Sequence, residues 1–289
     1  MALDHFSLSK DEILDKIISW ALEEDSGPGD HSALACIPSH ANGAAQLLVK
    51  EDCVVAGLEL AELIFRKVDK EIIFEVFTTE GSFHQKGDVI FKVKGKSQGL
   101  LKSERIVLNF MQRMSAIATE TARYVKELEG TKTKVLDTRK TTPGLRFIEK
   151  WAVAIGGGKN HRMGLYDMIM LKDNHIDFCG GIEKAIQKTQ TYLKENKLNI
   201  PIEVEARNLE EVDEILKAGG VHRIMLDNFS IEDTKTAVGR IGNLAETESS
   251  GGITLKNLRE YADCGVDFIS VGALTHGVKN VDLSLKAID

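Results

Sequence analysis

The chain has 289 residues, 43% of them hydrophobic and 28% charged, with a formal net charge of -7. That length and composition suit one large or two medium globular domains and argue against a disordered chain. The net acidity argues against generic nucleic-acid binding, which demands a basic surface, and no window approaches the ~20 apolar residues of a membrane span.

The N-terminal stretch MALDHFSLSKDEIL lacks the apolar core of a secretory signal. Cys36, Cys53, Cys179 and Cys264 are scattered and form no Cys-x-x-Cys pair. Reduced structural thiols in a cytoplasmic protein are therefore expected. Ser9 and Glu12 form a capping-box pattern, followed by apolar residues at helical spacing from Ile13 to Leu22. The run from Asp25 to Asp30 reads as a turn. Next come a strand-like run from Ala44 to Ala56, a helix from Leu58 to Val68, β-rich runs at 72–78 and 88–94, and a helical stretch from about 100 to 129. This part reads as α+β, with helices on a largely antiparallel sheet.

From residue 134 short apolar strands alternate with helices. The strands are Lys134–Asp137, Ile169–Leu171, Ile202–Val204, Arg223–Leu226, roughly Asn243–Glu246, and Phe268–Val271. The helices include Leu209–Lys217 and Leu255–Ala262. Strict alternation implies parallel strands with right-handed crossovers. Six repeats without a GxGxxG opening favour a barrel that falls short of eight strands. The closing run Val281–Ile288 alternates apolar and polar residues, as a strand returning to the first domain would.

The strand ends carry the chemistry. They run into Thr138-Arg139-Lys140, Lys172-Asp173-Asn174-His175, Glu205, Asp227-Asn228, Ser249-Ser250-Gly251-Gly252 and Gly272-Ala273. In a βα-barrel such positions gather at one mouth, where active sites sit. Residues 134–175 hold eight Lys/Arg and four Asp/Glu, so the segment carries 8 − 4 = +4 within an acidic protein. A basic pocket of that size suits a small polyanion. Arg146, Lys150 and Lys159 read as a partly solvated helix face. Arg139, Lys140, Arg162 and Lys172 flank strand ends or a glycine turn and read as ligands. Ser250-Gly251-Gly252, before a helix expected near Thr254, suits a phosphate. Gly156-Gly157-Gly158 either caps a helix or lets backbone approach a ligand while aiming His161 and Arg162.

These motifs resemble a known family. The run LDTRKTTPGLRFIEKWAVAIGGGKNHRMGLYDMIMLKDNH closely resembles quinolinate phosphoribosyltransferase. EDSGPGDHS, SERIVLNFMQRMSAIAT, IEVEARNLEEV, IMLDNF, SSGGIT and ISVGALTH follow in the family's order, so the similarity covers nearly the whole chain. The resemblance implies an N-terminal α/β sandwich, residues 1–115 joined by 276–289, and an open α/β barrel, residues 116–275. It implies a homodimer, or a hexamer of dimers, in which Arg105 reaches the partner subunit's site. Arg139, His161, Arg162 and Lys172 would hold the pyridine dicarboxylate, and Lys140 would face pyrophosphate. Glu205 and Asp227 would contact the ribose hydroxyls, with Mg²⁺ nearby through substrate or water. Ser250, Gly251, Gly252, Ser270 and Gly272 would form the 5′-phosphate region, with Thr138, Ser249 and Val271 adjoining.

Some positions depart from the common pattern. Ala116 and Ala154 stand where glycine and arginine are usual, and EVEAR carries about one extra residue before Asp227. Alternation puts Glu203 and Glu205 on one face of their strand, so the pattern alone does not choose between them. The reaction implied is transfer of phosphoribose from phosphoribosyl pyrophosphate to quinolinate with loss of CO₂ and pyrophosphate. Lys140, Lys172, Glu205 and Asp227 would carry it. The rivals are a class I aldolase using Lys172, a decarboxylation-free nicotinate phosphoribosyltransferase or a transport-associated paralogue of the same fold, and a phosphate-ligand sensor without turnover.

Overall fold

The computed structural model describes residues 8–288; the first seven residues of the N-terminal stretch, and residue 289, lie outside the described residues. The chain divides into two compact units. One takes residues up to 122, 142–157 and from 277 onward; the other takes 123–141 and 158–276. The sequence boundary at 115/116 falls within a single helix. No helix among the described residues is long and apolar enough to cross a membrane.

The first unit opens with α1 (Lys10–Ser26), whose capping box forms as the sequence suggests, and α2 (His31–Cys36), capped by Asp30. Then come β1 (Asn42–Val49), β2 (Cys53–Val54), α3 (Leu58–Val68), β3 (Ile73–Val76), β4 (Phe83–His84), β5 (Val89–Lys96) and α4 (Ser97–Glu127). The expected strand at 44–56 is therefore two strands in two sheets. The charged triplet Lys50-Glu51-Asp52 divides them, with Asp52 accepting the Lys86 amide at 2.9 Å. A four-stranded antiparallel sheet has the order β12-β1-β5-β3, where β12 (Leu283–Ile288) is the returning C-terminal strand. Its core packs Phe65, Phe74 and Phe91, with Phe74 and Phe91 centroids 4.6 Å apart. Burial of each such side chain contributes about 1.5–3 kcal/mol.

Between the two stretches of the second unit, α5 (Arg146–Ile155) groups with the first. Its buried Glu149 accepts Arg113 of α4 at 2.8 Å, and Gly156 ends it against α4 so closely that a Cβ would lie 2.5 Å from the Ala118 carbonyl. This glycine is needed for packing. Lys150 is buried rather than solvated, and Lys159 lies outside any helix, bridging to Leu136; both differ from the expected helix face.

The second unit is an open barrel. Its strands are β6 (Lys134–Leu136), β7 (Ile169–Leu171), β8 (Ile202–Ala206), β9 (Arg223–Asp227), β10 (Glu246–Ser250) and β11 (Phe268–Ser270). They run parallel in the order β6-β11-β10-β9-β8-β7. Helices α6 (Asp173–Cys179), α7 (Ile182–Glu195), α8 (Leu209–Ala218), α9 (Ile231–Ile241), α10 (Leu258–Asp263) and α11 (Ala273–His276) follow the strands. Ile202, Val204 and Ala206 of β8, with Ile224 and Leu226 of β9, pack outward among α7, α8 and α9. Strand alternation then turns Glu203, Glu205, Arg223, Met225 and Asp227 inward.

Two elements sit differently from expectation. Strand β10 begins where the expected 243–246 strand ends, because its polar run Glu-Thr-Glu-Ser-Ser is satisfied inside the sheet. Thr247 gives both its amide and its hydroxyl to Asp267, at 2.9 and 2.8 Å. Helix α10 starts at Leu258, not near Thr254, because the Asn257 side chain accepts the Thr254 amide at 2.7 Å and closes a turn first. The Ser250–Gly252 turn therefore has no helix N-terminus directly behind it.

Candidate active site

The inward and strand-end residues of the second unit surround a cavity of about 880 Å³. Thr138, Arg139, Lys140, His161, Arg162, Lys172, Glu205, Asp227, Ser250, Gly251, Gly252, Ser270, Val271 and Gly272 all line it. Ser249 does not: it is buried on the other face of β10, as alternation requires. Arg105 belongs to the first unit and is exposed on α4.

One side of the cavity is cationic. After β6 the Thr138 hydroxyl accepts the Lys140 amide at 3.0 Å, and the Lys140 carbonyl accepts Thr275 at 2.8 Å, which fixes the turn carrying Arg139 and Lys140. The buried Asp137 carboxylate accepts the His161 amide at 2.8 Å and Asn160 at 2.6 Å. Asp137 thus ties the 160–162 segment to the end of β6, a role that the sequence reading missed. Arg139 Nε is buried without a hydrogen-bond partner. Burial and the neighbouring Arg139 both push the Arg162 pKa down. Two guanidinium groups that repel each other in a half-buried site make a receptor for a planar carboxylate.

The facing side is acidic. Glu205 and Glu203 share the inner face of β8 but differ in depth. Glu205 lines the cavity and pairs with Lys172 at 2.6 Å, whereas Glu203 lies below the lining. Depth therefore separates two carboxylates that alternation could not. Asp227 ends β9, and Asn228, in the left-handed region at φ 56°, donates its side-chain amide to Asp227 at 2.9 Å. The Asn228 backbone amide donates to the Ser250 carbonyl at 2.8 Å, joining the end of β9 to the glycine turn. Asn228, named at its strand end in the sequence, also lines the cavity, as do Glu248, Met170, Met225 and His276, which were not singled out from the sequence. His276 stands in the ISVGALTH motif, which was a legible signal.

Of the lining residues, His161 has its Nε2 3.5 Å from Glu248 and 3.2 Å from the deeper Glu203. Burial alone would lower the imidazole pKa, but the two carboxylates outweigh it and hold it up at about 9. His161 Nδ1 is engaged as well, accepting the Arg162 amide at 2.7 Å. A second ring proton would displace that single contact, worth about 1 kcal/mol, a small loss beside two buried carboxylates. His161, Glu203 and Glu248 each offer a donor atom within 4.8 Å of the others, a set that could chelate a divalent metal. The guanidinium of Arg223, 3.1 Å from Glu248, already supplies a positive charge there.

The quinolinate phosphoribosyl transferase C-terminal domain family matches residues 117–286, and its N-terminal domain family matches residues 30–115. Among curated relatives, the quinolinate phosphoribosyltransferase [decarboxylating] 2 of Nicotiana glauca is 46% identical over 94% of this chain and 82% of its own length. The probable nicotinate-nucleotide pyrophosphorylase [carboxylating] of Bacillus subtilis is 39% identical over 94% of this chain and 92% of its own. The crystal structure of NadC from Streptococcus pyogenes superposes with a TM-score of 0.91 at 38% identity, covering 98% of this chain and 99% of that one.

Proposed function

We infer the reaction from a plain premise: the chain belongs to the quinolinate phosphoribosyltransferase family. It transfers the phosphoribosyl group of phosphoribosyl pyrophosphate to quinolinate, releasing pyrophosphate and CO₂ and forming nicotinate mononucleotide. The observation that carries this reading is the division of one cavity into a guanidinium side and a carboxylate side, with a glycine turn beside the carboxylates.

Each side has a task. Arg139, Arg162 and Lys172 bind the two adjacent carboxylates of quinolinate, aligning the pyridine nitrogen with ribose C1. Glu205 and Asp227 orient the ribose hydroxyls and place negative charge near the cation that develops at C1 as pyrophosphate departs. Lys140 stabilises the leaving pyrophosphate. Backbone groups of Ser250, Gly251, Gly252 and Gly272 cradle the 5′-phosphate. After transfer, the alkylated ring accepts the electrons of the C2–carboxylate bond, so CO₂ leaves without an organic cofactor.

The metal that fits is Mg²⁺, whose preference for oxygen donors and retained waters suits the cavity-lining carboxylates of Asp227 and Glu205 rather than the filled set around His161. When bound, it neutralises pyrophosphate charge. The active assembly is a homodimer in which Arg105 serves the partner subunit's cavity; its exposure on α4 is consistent with that role. Purified protein supplied with quinolinate, phosphoribosyl pyrophosphate and Mg²⁺ should yield nicotinate mononucleotide and pyrophosphate in equal amounts by mass spectrometry. EDTA should stop both. Binding of both substrates without either product would reject the reading and favour the sensor alternative.

A further inference from the structure

The barrel interior beneath the cavity is charged, where such interiors are ordinarily filled by branched apolar side chains. Arg223, at the first position of β9, turns its guanidinium inward and is 8% exposed. One Nη donates to Glu248 at 3.1 Å and lies 3.8 Å from Glu203; Nε and the other Nη donate to Glu246 at 3.2 and 2.9 Å. The guanidinium also rests 4.1 Å from the Phe268 ring centroid. Glu203 and Glu248 are fully buried and meet His161 above them. Arg223 itself does not line the cavity.

Burying such ions costs several kcal/mol each before pairing, and apolar replacements of buried ion pairs are often neutral or stabilising. Stability alone therefore gives weak grounds for this column. Its upper end supplies a better one. His161 Nε2 is held by Glu203 and Glu248 at 3.2 and 3.5 Å, and His161 directly precedes Arg162 in the chain. Anchoring the His161 ring on the column therefore fixes the chain at the residue from which Arg162 projects, and the Arg162 side chain adds one bond to the Met168 carbonyl at 3.2 Å.

We propose that Arg223, acting through Glu248, Glu203 and His161, is a positioning residue that aims Arg162 at the quinolinate carboxylates. The inference rests on the quinolinate reading above. It gives His161 a bridging task in place of the direct ligand role implied by the family resemblance.

The test is steady-state kinetics of Arg223→Met, Arg223→Lys and Glu248→Gln in the full-length enzyme, with thermal melts alongside. Arg223→Met should raise KM for quinolinate about tenfold or more, while KM for phosphoribosyl pyrophosphate stays within about twofold and kcat within about threefold. Arg223→Lys, which keeps the charge, should recover part of the loss. Glu248→Gln is isosteric and should likewise raise KM for quinolinate more than KM for phosphoribosyl pyrophosphate if Arg223→Met does not fold; because Glu248 lines the cavity, its kcat is left out of the test. An unchanged quinolinate KM in a folded variant overturns the proposal. So do equal rises in both KM values, and so does failure of both Arg223→Met and Glu248→Gln to fold, which assigns the column to stability. Wild-type enzyme run in parallel separates the two readings: if it forms no nicotinate mononucleotide, the reaction assignment fails first.

Discussion

Lys172, just after β7, and Glu205, on the neighbouring β8, close a 2.6 Å ion pair at the cavity wall, joining the residue assigned to the pyridine dicarboxylate with one assigned to the ribose. The Lys172 side chain is 45% exposed, so solvent screens the pair and its worth is at most about 1 kcal/mol. On the proposed roles, quinolinate draws Lys172 away from Glu205 and frees that carboxylate for the ribose hydroxyls. Glu205→Gln removes the competitor. It should tighten phthalate, a dicarboxylate without the nucleophilic nitrogen, by up to about fivefold, while kcat falls. Calorimetric titration with phthalate checks the first effect; weaker binding by the variant would show that Glu205 does not compete for Lys172.

The glycine turn is sterically committed. Gly251 sits at φ +97°, and a Cβ there would lie 2.2 Å from the Asn228 side-chain oxygen and 3.0 Å from its backbone nitrogen. Gly251→Ala strains its own backbone and pushes away the residue that holds Asp227. KM for phosphoribosyl pyrophosphate should rise about tenfold or more with phthalate affinity unchanged. An unaltered KM would remove this turn from the 5′-phosphate site.

Much of this arrangement is legible in residue order, and the gaps have physical causes. Helix Leu58–Val68 and strand Ile169–Leu171 coincide with expectation because apolar periodicity and turn residues agree there. Strand β10 was misplaced because hydropathy reads Glu-Thr-Glu-Ser-Ser as a loop, and only tertiary partners in Arg223, His161 and Asp267 make it a strand. The same blindness hid Lys150, whose charge suggested solvent although the side chain is buried. Glu203 and Glu205 were ambiguous because period-two alternation gives face but not depth.

Asp267 makes strand β10 sensitive to acid. Burial alone would raise its pKa, but Lys132 and the Thr247 amide and hydroxyl outweigh this and hold it below the ordinary 3.8. A depressed folded-state pKa contributes stability above 3.8 that is lost as pH falls through the folded value. Asp267→Asn should therefore destabilise the protein at neutral pH by about 1–3 kcal/mol. The gap between wild type and variant should close as pH drops below 3.8. Thermal melts across pH 3–7, a range that spans the ordinary value, would expose a constant gap, and hence a purely steric cause, if the ion is irrelevant.

Arg105 is exposed on α4, in the unit that does not contain the cavity, and its assignment to a neighbour's site can be read by complementation. Arg105→Ala and Lys172→Ala homodimers should each be nearly inactive. Subunit exchange should restore one intact site per mixed dimer. If mixed dimers form and activity stays absent, Arg105 acts within its own chain or not at all.

Selectivity for quinolinate over nicotinate follows from the crowding of cations at one side of the cavity. Burial and Arg139 already disfavour the charge on Arg162, and Arg139 Nε has no partner. A dicarboxylate answers both guanidinium groups and Lys172; nicotinate, lacking the C2 carboxylate, leaves part of that charge unanswered. Leaving one member of a buried charge pair alone costs about 2–5 kcal/mol, or roughly 30-fold to several-thousand-fold in affinity. Nicotinate should therefore be a very poor substrate, and phthalate should inhibit competitively against quinolinate. Lys172→Ala should weaken phthalate far more than it weakens benzoate, which has a single carboxylate. The decisive measurement is kcat/KM for both pyridines under saturating phosphoribosyl pyrophosphate. Comparable values would leave the paired guanidinium groups without a purpose and make the decarboxylation-free nicotinate transferase the better account of this cavity.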